Sequence, residues 1–182
     1  MKRFYRAAAI CLLTVFLALV VVCAAAGLRI NTSPSVPCGV YRLTHGTPCI
    51  GDLISFMPPK SAVFELARKR GYFSGQILKR VVAKPGDRVA VNEGGVRVNG
   101  TLWPNSTPQT NDPEGRSLPV LRFSETLDSE MLLLMSDADR RGFDARYFGL
   151  ISRYNIAGFN SAKRLSRAKT GRTCLPRQPT LP

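Results

Sequence analysis

The stretch Ile77–Val89, ILKRVVAKPGDRV, decides how this chain is read. Strand side chains alternate between faces, so Lys79 shares a side with Ile77, Val81 and Ala83, while Arg80 lies opposite with Leu78 and Val82. The apolar run stops at Pro85-Gly86-Asp87, a strong turn signal. An ammonium among aliphatic neighbours is disfavoured by desolvation, which favours the neutral amine. Moving a lysine pKa from about 10.4 towards 7–8 costs roughly 4 kcal/mol. A lysine held in that condition is a candidate general base. A solvated edge lysine that discourages aggregation has the same local sequence, so the rest of the chain must decide.

Outward from this strand the pattern stays β-rich. RVAVNEGGVRVNGTLW, starting at Arg88, alternates on both sides of Glu93-Gly94-Gly95 and predicts a hairpin. Ile50–Met57, opened by a Gly-Asp turn and broken by Pro58-Pro59, predicts another strand, and MLLLMSD from Met131 a buried one. Between them, SAVFELARKRGYF predicts one short helix. Ser61 is its candidate N-cap, Val63, Phe64 and Ala67 share a face, and Gly71 ends it. Residues 104–129 are rich in Pro, Ser, Thr and Asn and read as an irregular surface excursion. FDARYFGLISRYNI reads as a turn plus a strand. The expected fold class is mainly β, with one short helix.

The N-terminus adds a further element. Lys2, Arg3 and Arg6 precede an uncharged run, Ala7–Leu28, which as a helix would reach about 33 Å, enough to cross a bilayer. A basic leader favours a cytoplasmic N-terminus. The expected organisation is leader 1–6, transmembrane anchor 7–28, an exported domain 29–158 and a basic tail 159–182. The run is long for a cleaved signal core, although Ala24–Ala26 offers cleavage sites. From Arg153 onward there are seven basic residues and no acidic one, and such a tail is expected to be disordered.

The 182 residues carry a formal charge of +14. No zinc spacing, RNA-binding signature or basic heptad helix accompanies it, and export argues against a nucleic-acid partner. Anionic lipid or acidic proteins suit a basic exported domain better. No Cys-x-x-Cys occurs, so no metal or other cofactor is expected. Cys38 and Cys49 flank the candidate hairpin GVYRLTHGTP, where a disulfide and two free thiols are equally good readings.

A base needs a nucleophile, and Ser35 in Ser33-Pro34-Ser35-Val36-Pro37 is the candidate, its backbone restricted by flanking prolines. His45, the single histidine, falls in a Thr-His-Gly turn and is given no chemical role. Taken in order, NTSPSVPCGVY, LKRVVAKPGD, and LLLMSD followed by FDARYFG resemble the boxes of type I signal peptidases. The TraF-type conjugative transfer branch is the closest match, over about residues 7–158. These are membrane-anchored serine proteases with a Ser-Lys dyad on a β-rich fold.

The resemblance implies that Ser35 attacks the scissile carbonyl, Lys79 exchanges its proton, and the Ser33 hydroxyl joins the Ser35 N–H as oxyanion hole. Asp144 and Arg146 match charged positions expected to brace the site as an ion pair. Where relatives commonly carry a serine that orients the lysine, this chain has Gly142, with Ser136 or a water as substitute. The implied function is periplasmic maturation of a propilin by a single-pass inner-membrane enzyme, among other proteins of a conjugative transfer system. In that branch maturation is sometimes coupled to ring closure of the pilin. Two rivals remain: a general signal peptidase of secreted preproteins, and an inactive scaffold of the transfer machinery.

Overall fold

The computed structural model describes residues 2–32, 36–45, 48–136, 139–155 and 160–164. Helix α1, Lys2–Ala25, carries exposed apolar side chains such as Leu12, Phe16 and Leu19, and is long and apolar enough to cross a membrane. Two residues separate its end from the first strand.

Strands β1 (Leu28–Asn31), β2 (Gly39–His45), β3 (Leu53–Phe56), β4 (Ile77–Ala83), β9 (Met131–Met135), β10 (Ile151–Ser152) and β11 (Asn160–Arg164) form a seven-stranded sheet. Its order is β1-β2-β11-β3-β4-β9-β10. A second sheet, ordered β7-β6-β5-β8, contains β5 (Arg88–Asn92), β6 (Gly95–Val98), β7 (Thr101–Leu102) and β8 (Phe123–Thr126). The β5–β6 hairpin turns through Glu93-Gly94, with Asn92 opposite Gly95, as the alternation predicts.

The core gathers the apolar face of β4 and β9 under helix α2 (Ala62–Lys69) and the short helix α3 (Ala145–Phe148). Leu132, Leu133 and Leu134 are fully buried, which explains why β9 is a continuous apolar run. Phe64 of α2 stacks on Phe148 of α3 at 5.0 Å between ring centres, while Phe56 meets both edge-on. Such a cluster fixes α2 over the sheet and places the chain that follows it, from Arg70, beside β4.

Several expectations are corrected. GVYRLTHGTP is no hairpin: Gly39–His45 is one strand whose partners are β1 and β11, and β11 also pairs with β3. His45 therefore ends a strand in its backbone path. Of the two open readings of Cys38 and Cys49 neither holds: Cys49 is disulfide-bonded, and not to Cys38. Order does not end at residue 158, because Asn160–Arg164 lies in the sheet. Its backbone satisfies hydrogen bonds on both edges and needs no apolar pattern. The remainder of the tail, 165–182, lies outside the described residues. FDARYFGLIS contains the α3 turn before its strand, and the polar excursion contains β8. Helix α2 ends at Gly71 (φ 76°) as expected, with Tyr72 N–H closing on Ala67 O, but its Ser61 makes no side-chain cap.

Candidate active site

Lys79 lies on β4 opposite Ile54 of β3, on the same face as Ile77 and Val81. It is 3 % exposed, and its Nζ donates to Ser136 Oγ at 2.8 Å. Burial is the main cause of a pKa lowered from 10.5 to about 8; the Asp144 carboxylate pulls back upward and the Arg146 guanidinium adds to the fall. The difference amounts to about 3 kcal/mol of disfavoured charge. At neutral to mildly alkaline pH a usable fraction of this lysine is the free amine.

Ser136 follows directly on β9, which is why a residue 57 positions away reaches the lysine. Its N–H donates to Asp144 Oδ2 at 3.1 Å, so the serine that holds the amine is itself held by the carboxylate. A β-carbon added at Gly142 would lie 2.0 Å from Ser136 Oγ and 2.6 Å from Ser136 Cβ. Positions 136 and 142 thus project into one volume, and here residue 136 fills it. The hydroxyl expected at 142 is supplied from the neighbouring strand end.

Asp144 and Arg146 form the bracing pair, 0 % and 1 % exposed. Nε reaches Oδ1 at 2.7 Å and Nη2 reaches Oδ2 at 2.8 Å, a bidentate arrangement. Arg146 also donates to the carbonyls of Gly142 (2.8 Å), Arg140 (2.9 Å) and Thr107 (3.3 Å), so all its guanidinium hydrogens are used. Asp144 additionally caps α3 through Arg146 N–H. One ion pair therefore fixes the turn carrying Gly142, the start of α3 and the loop at Thr107.

Ser33 and Ser35 lie outside the described residues. Their flanks are anchored: Asn31 Nδ2 donates to Val36 O at 3.1 Å, and Tyr41 Oη donates to Pro37 O at 2.5 Å. Val36 and Tyr41 are buried against Leu53. Lys79, Asp144 and Arg146 are thus brought together, with Ser136 between them.

A cleft of about 520 Å³ opens beside Lys79. One wall is the chain leaving α2, Arg70–Gln76; the other is formed by Gly142, Phe143 and Tyr147; residues 112–114 and Leu118 close the far end. Asp112, in the segment read as a surface excursion, is buried there. It accepts from Tyr72 Oη (2.6 Å), Arg116 Nε (2.6 Å) and the N–H groups of Arg116 and Glu114. Burial alone would raise its pKa, but these hydrogen bonds hold it at about 2. Tyr147 Oη accepts from Gln109 N–H at 2.9 Å, securing the same loop from the other side. Sequence reading missed Asp112, Tyr72 and Tyr147; an aspartate in x-Asp-Pro-x-Gly looks like a turn residue, and nothing local marks it as buried.

The family model for "Signal peptidase, peptidase S26" matches residues 1–163. A plasmid transfer protein TraF from Escherichia coli is 43% identical over 141 residues, covering 72% of this chain and 79% of that protein. A probable signal peptidase I-1 of Synechocystis is 33% identical over 112 residues, covering 61% of this chain and 52% of that one. A crystal structure of a signal peptidase I from Enterococcus faecalis V583 aligns with a TM-score of 0.38 at 19% identity, covering 64% of this chain and 98% of that chain.

Proposed function

The chain belongs to the peptidase S26 family of signal peptidases, and from that premise we propose that it is a membrane-anchored serine endopeptidase with Ser35 as nucleophile and Lys79 as base. The observation that carries this reading is the buried Lys79 amine, its pKa lowered to about 8 and its nitrogen oriented by Ser136. In the reaction, neutral Nζ takes the Ser35 proton as Oγ bonds to the scissile carbonyl carbon. The oxyanion is met by the Ser35 N–H and the Ser33 hydroxyl. The new ammonium then protonates the leaving nitrogen as the C–N bond breaks. The same amine activates the water that opens the acyl ester.

Helix α1 serves as a single-pass anchor in the inner membrane, with its basic leader cytoplasmic and the sheets in the periplasm. Sharing that layer raises the effective concentration of a membrane-tethered precursor. The substrate is an exported propilin of a conjugative transfer system, in keeping with the similarity to a plasmid transfer protein. It lies extended along β4, whose pairing with β9 begins only at Arg80. If an amine rather than water opens the acyl ester, the product is a joined chain, the chemistry required for pilin ring closure.

The test is processing of the propilin in cells that carry the transfer system, read by mass spectrometry. Ser35→Ala and Lys79→Ala are expected to abolish maturation, and normal maturation in either variant overturns the dyad. Efficient turnover of unrelated secreted preproteins by the wild-type chain would favour the general signal peptidase reading, which the similarity to a probable signal peptidase I-1 keeps in play.

A further inference from the structure

Helix α1 runs out into Ala24-Ala25-Ala26-Gly27, an ending that the function proposed above does not use. All three alanines are exposed. Their small-x-small spacing is the pattern at which leaders of exported proteins are cut. Gly27, at φ 71°, takes the left-handed conformation that stops a helix, so the alanines lie at the last turn. Ala26 N–H donates to Val22 O at 2.9 Å and Gly27 N–H to Ala24 O at 3.1 Å. A terminal turn held in this way is the first part of a helix to open, and once open it presents Ala24–Ala26 as extended chain.

The chain's own site is out of reach of this ending. Strand β1, four residues and about 13 Å long, stands between Gly27 and the serine box, and every residue of it pairs with β2. In the sheet, β2, β11 and β3 lie between β1 and β4, which sets Lys79 about 19 Å from β1. The height is nevertheless right. Lys79 shares a row with Ile54, Ser161 and Thr44. That row lies two residues along β2 from the Arg42–Leu28 pair, about 7 Å, on the side from which α1 arrives. A second copy anchored alongside therefore carries its lysine near the level at which Ala26 leaves the helix.

Resting on the peptidase reading above, we propose that this chain is a substrate for a second copy of itself, cut between Ala26 and Gly27. Ser35 Oγ of one copy bonds to the Ala26 carbonyl carbon of the other, and the C–N bond to Gly27 breaks. Lys79 carries the serine proton to the departing Gly27 amine, and water then opens the ester to leave an Ala26 carboxylate. The released chain, 27–182, keeps its sheets but loses α1, and with it the shared layer that concentrates enzyme on tethered precursor. Because two anchored copies must meet, release is slow in a sparse membrane and fast in a crowded one. The ending of α1 thus sets a ceiling on how much anchored peptidase the membrane holds.

The experiment reconstitutes two full-length variants together in phosphatidylethanolamine–phosphatidylglycerol vesicles. The target is Ser35→Ala with a C-terminal tag. The enzyme is untagged Ala26→Phe, which keeps the dyad and lacks a cleavable ending of its own. Tagged chain freed into the supernatant is read by intact mass and N-terminal sequence. A fragment starting at Gly27 is expected when both variants are present, and raising the enzyme-to-lipid ratio tenfold should speed its release about tenfold. Adding Ala26→Phe to the target should slow release by about tenfold or more, because a bulky ring replaces the small residue at the cut. Release from the target alone, release indifferent to enzyme density, or a fragment with another N-terminus overturns the proposal. So does intact target in vesicles whose enzyme still cleaves a propilin peptide, and the peptidase reading then stands. If the enzyme cuts neither target nor peptide, that reading falls and this proposal with it.

Discussion

Exchanging Ser136 and Gly142 tests whether the lysine is oriented by a hydroxyl in a particular volume or by a serine at a particular position. Ser136→Gly removes the hydroxyl that accepts from Lys79 Nζ but keeps the N–H that donates to Asp144. A hydrogen bond to an ionisable buried group is worth about 1.5–3 kcal/mol, so kcat/KM should fall by about 10- to 100-fold. Gly142→Ser alone should do worse, since its β-carbon would sit 2.0 Å from Ser136 Oγ and displace either β9 or the turn. The double variant removes the clash and returns a hydroxyl to the same space. It should recover to within about tenfold of wild type, an antagonistic coupling that independent sites would not show. The assay is kcat/KM on a quenched propilin peptide across pH 6 to 10. A double variant no better than Ser136→Gly, or a Ser136→Gly enzyme at wild-type rate, would refute the argument.

Other expectations follow from the same geometry. The rising limb of kcat/KM should have its midpoint at about pH 8, where the Lys79 amine becomes free. Below that pH the lysine is protonated in both folded and unfolded chains and the folded state carries the full burial cost. Between about 8 and 10.5 the unfolded chain binds more protons, so this group's contribution to stability improves as pH rises. The stability advantage of Lys79→Met over wild type, measured by denaturant titration, should therefore shrink by about 3 kcal/mol from pH 7 to above pH 10.5; a constant difference would count against a lowered pKa. Arg146→Met leaves Asp144 buried and uncompensated and should cost about 3–5 kcal/mol by the same titration, with a near-neutral result excluding the brace. Maleimide should label Cys49 only after reduction; labelling of Cys49 in the untreated protein would contradict its bonded state.

The sequence is most legible where local pattern and final environment agree. Lys79 alternates with Ile77 and Val81, and that period carried straight through to a buried amine. The hairpin at Glu93-Gly94 and the helix face Phe64/Ala67 are equally local. Illegible were the features created by long-range closure. Strand β11 reads Asn-Ser-Ala-Lys-Arg, with no apolar alternation, because its place is secured by main-chain bonds that carry no side-chain signature. Asp112 looks like a turn aspartate until Tyr72, 40 positions earlier, is brought against it. The sequence offers Ser136 or a water in place of the hydroxyl missing at Gly142, and the choice between them is made once positions 136 and 142 are seen to address a single volume.

The position of β11 has a consequence for biosynthesis. In the main sheet it separates β1 and β2, which bracket the serine box in the chain, from β3 and β4, which carry the lysine. Until residue 164 has been synthesised, those halves face each other across an unfilled seam. A chain stalled or truncated before that point presents two unpaired strand borders, which are templates for edge-to-edge association.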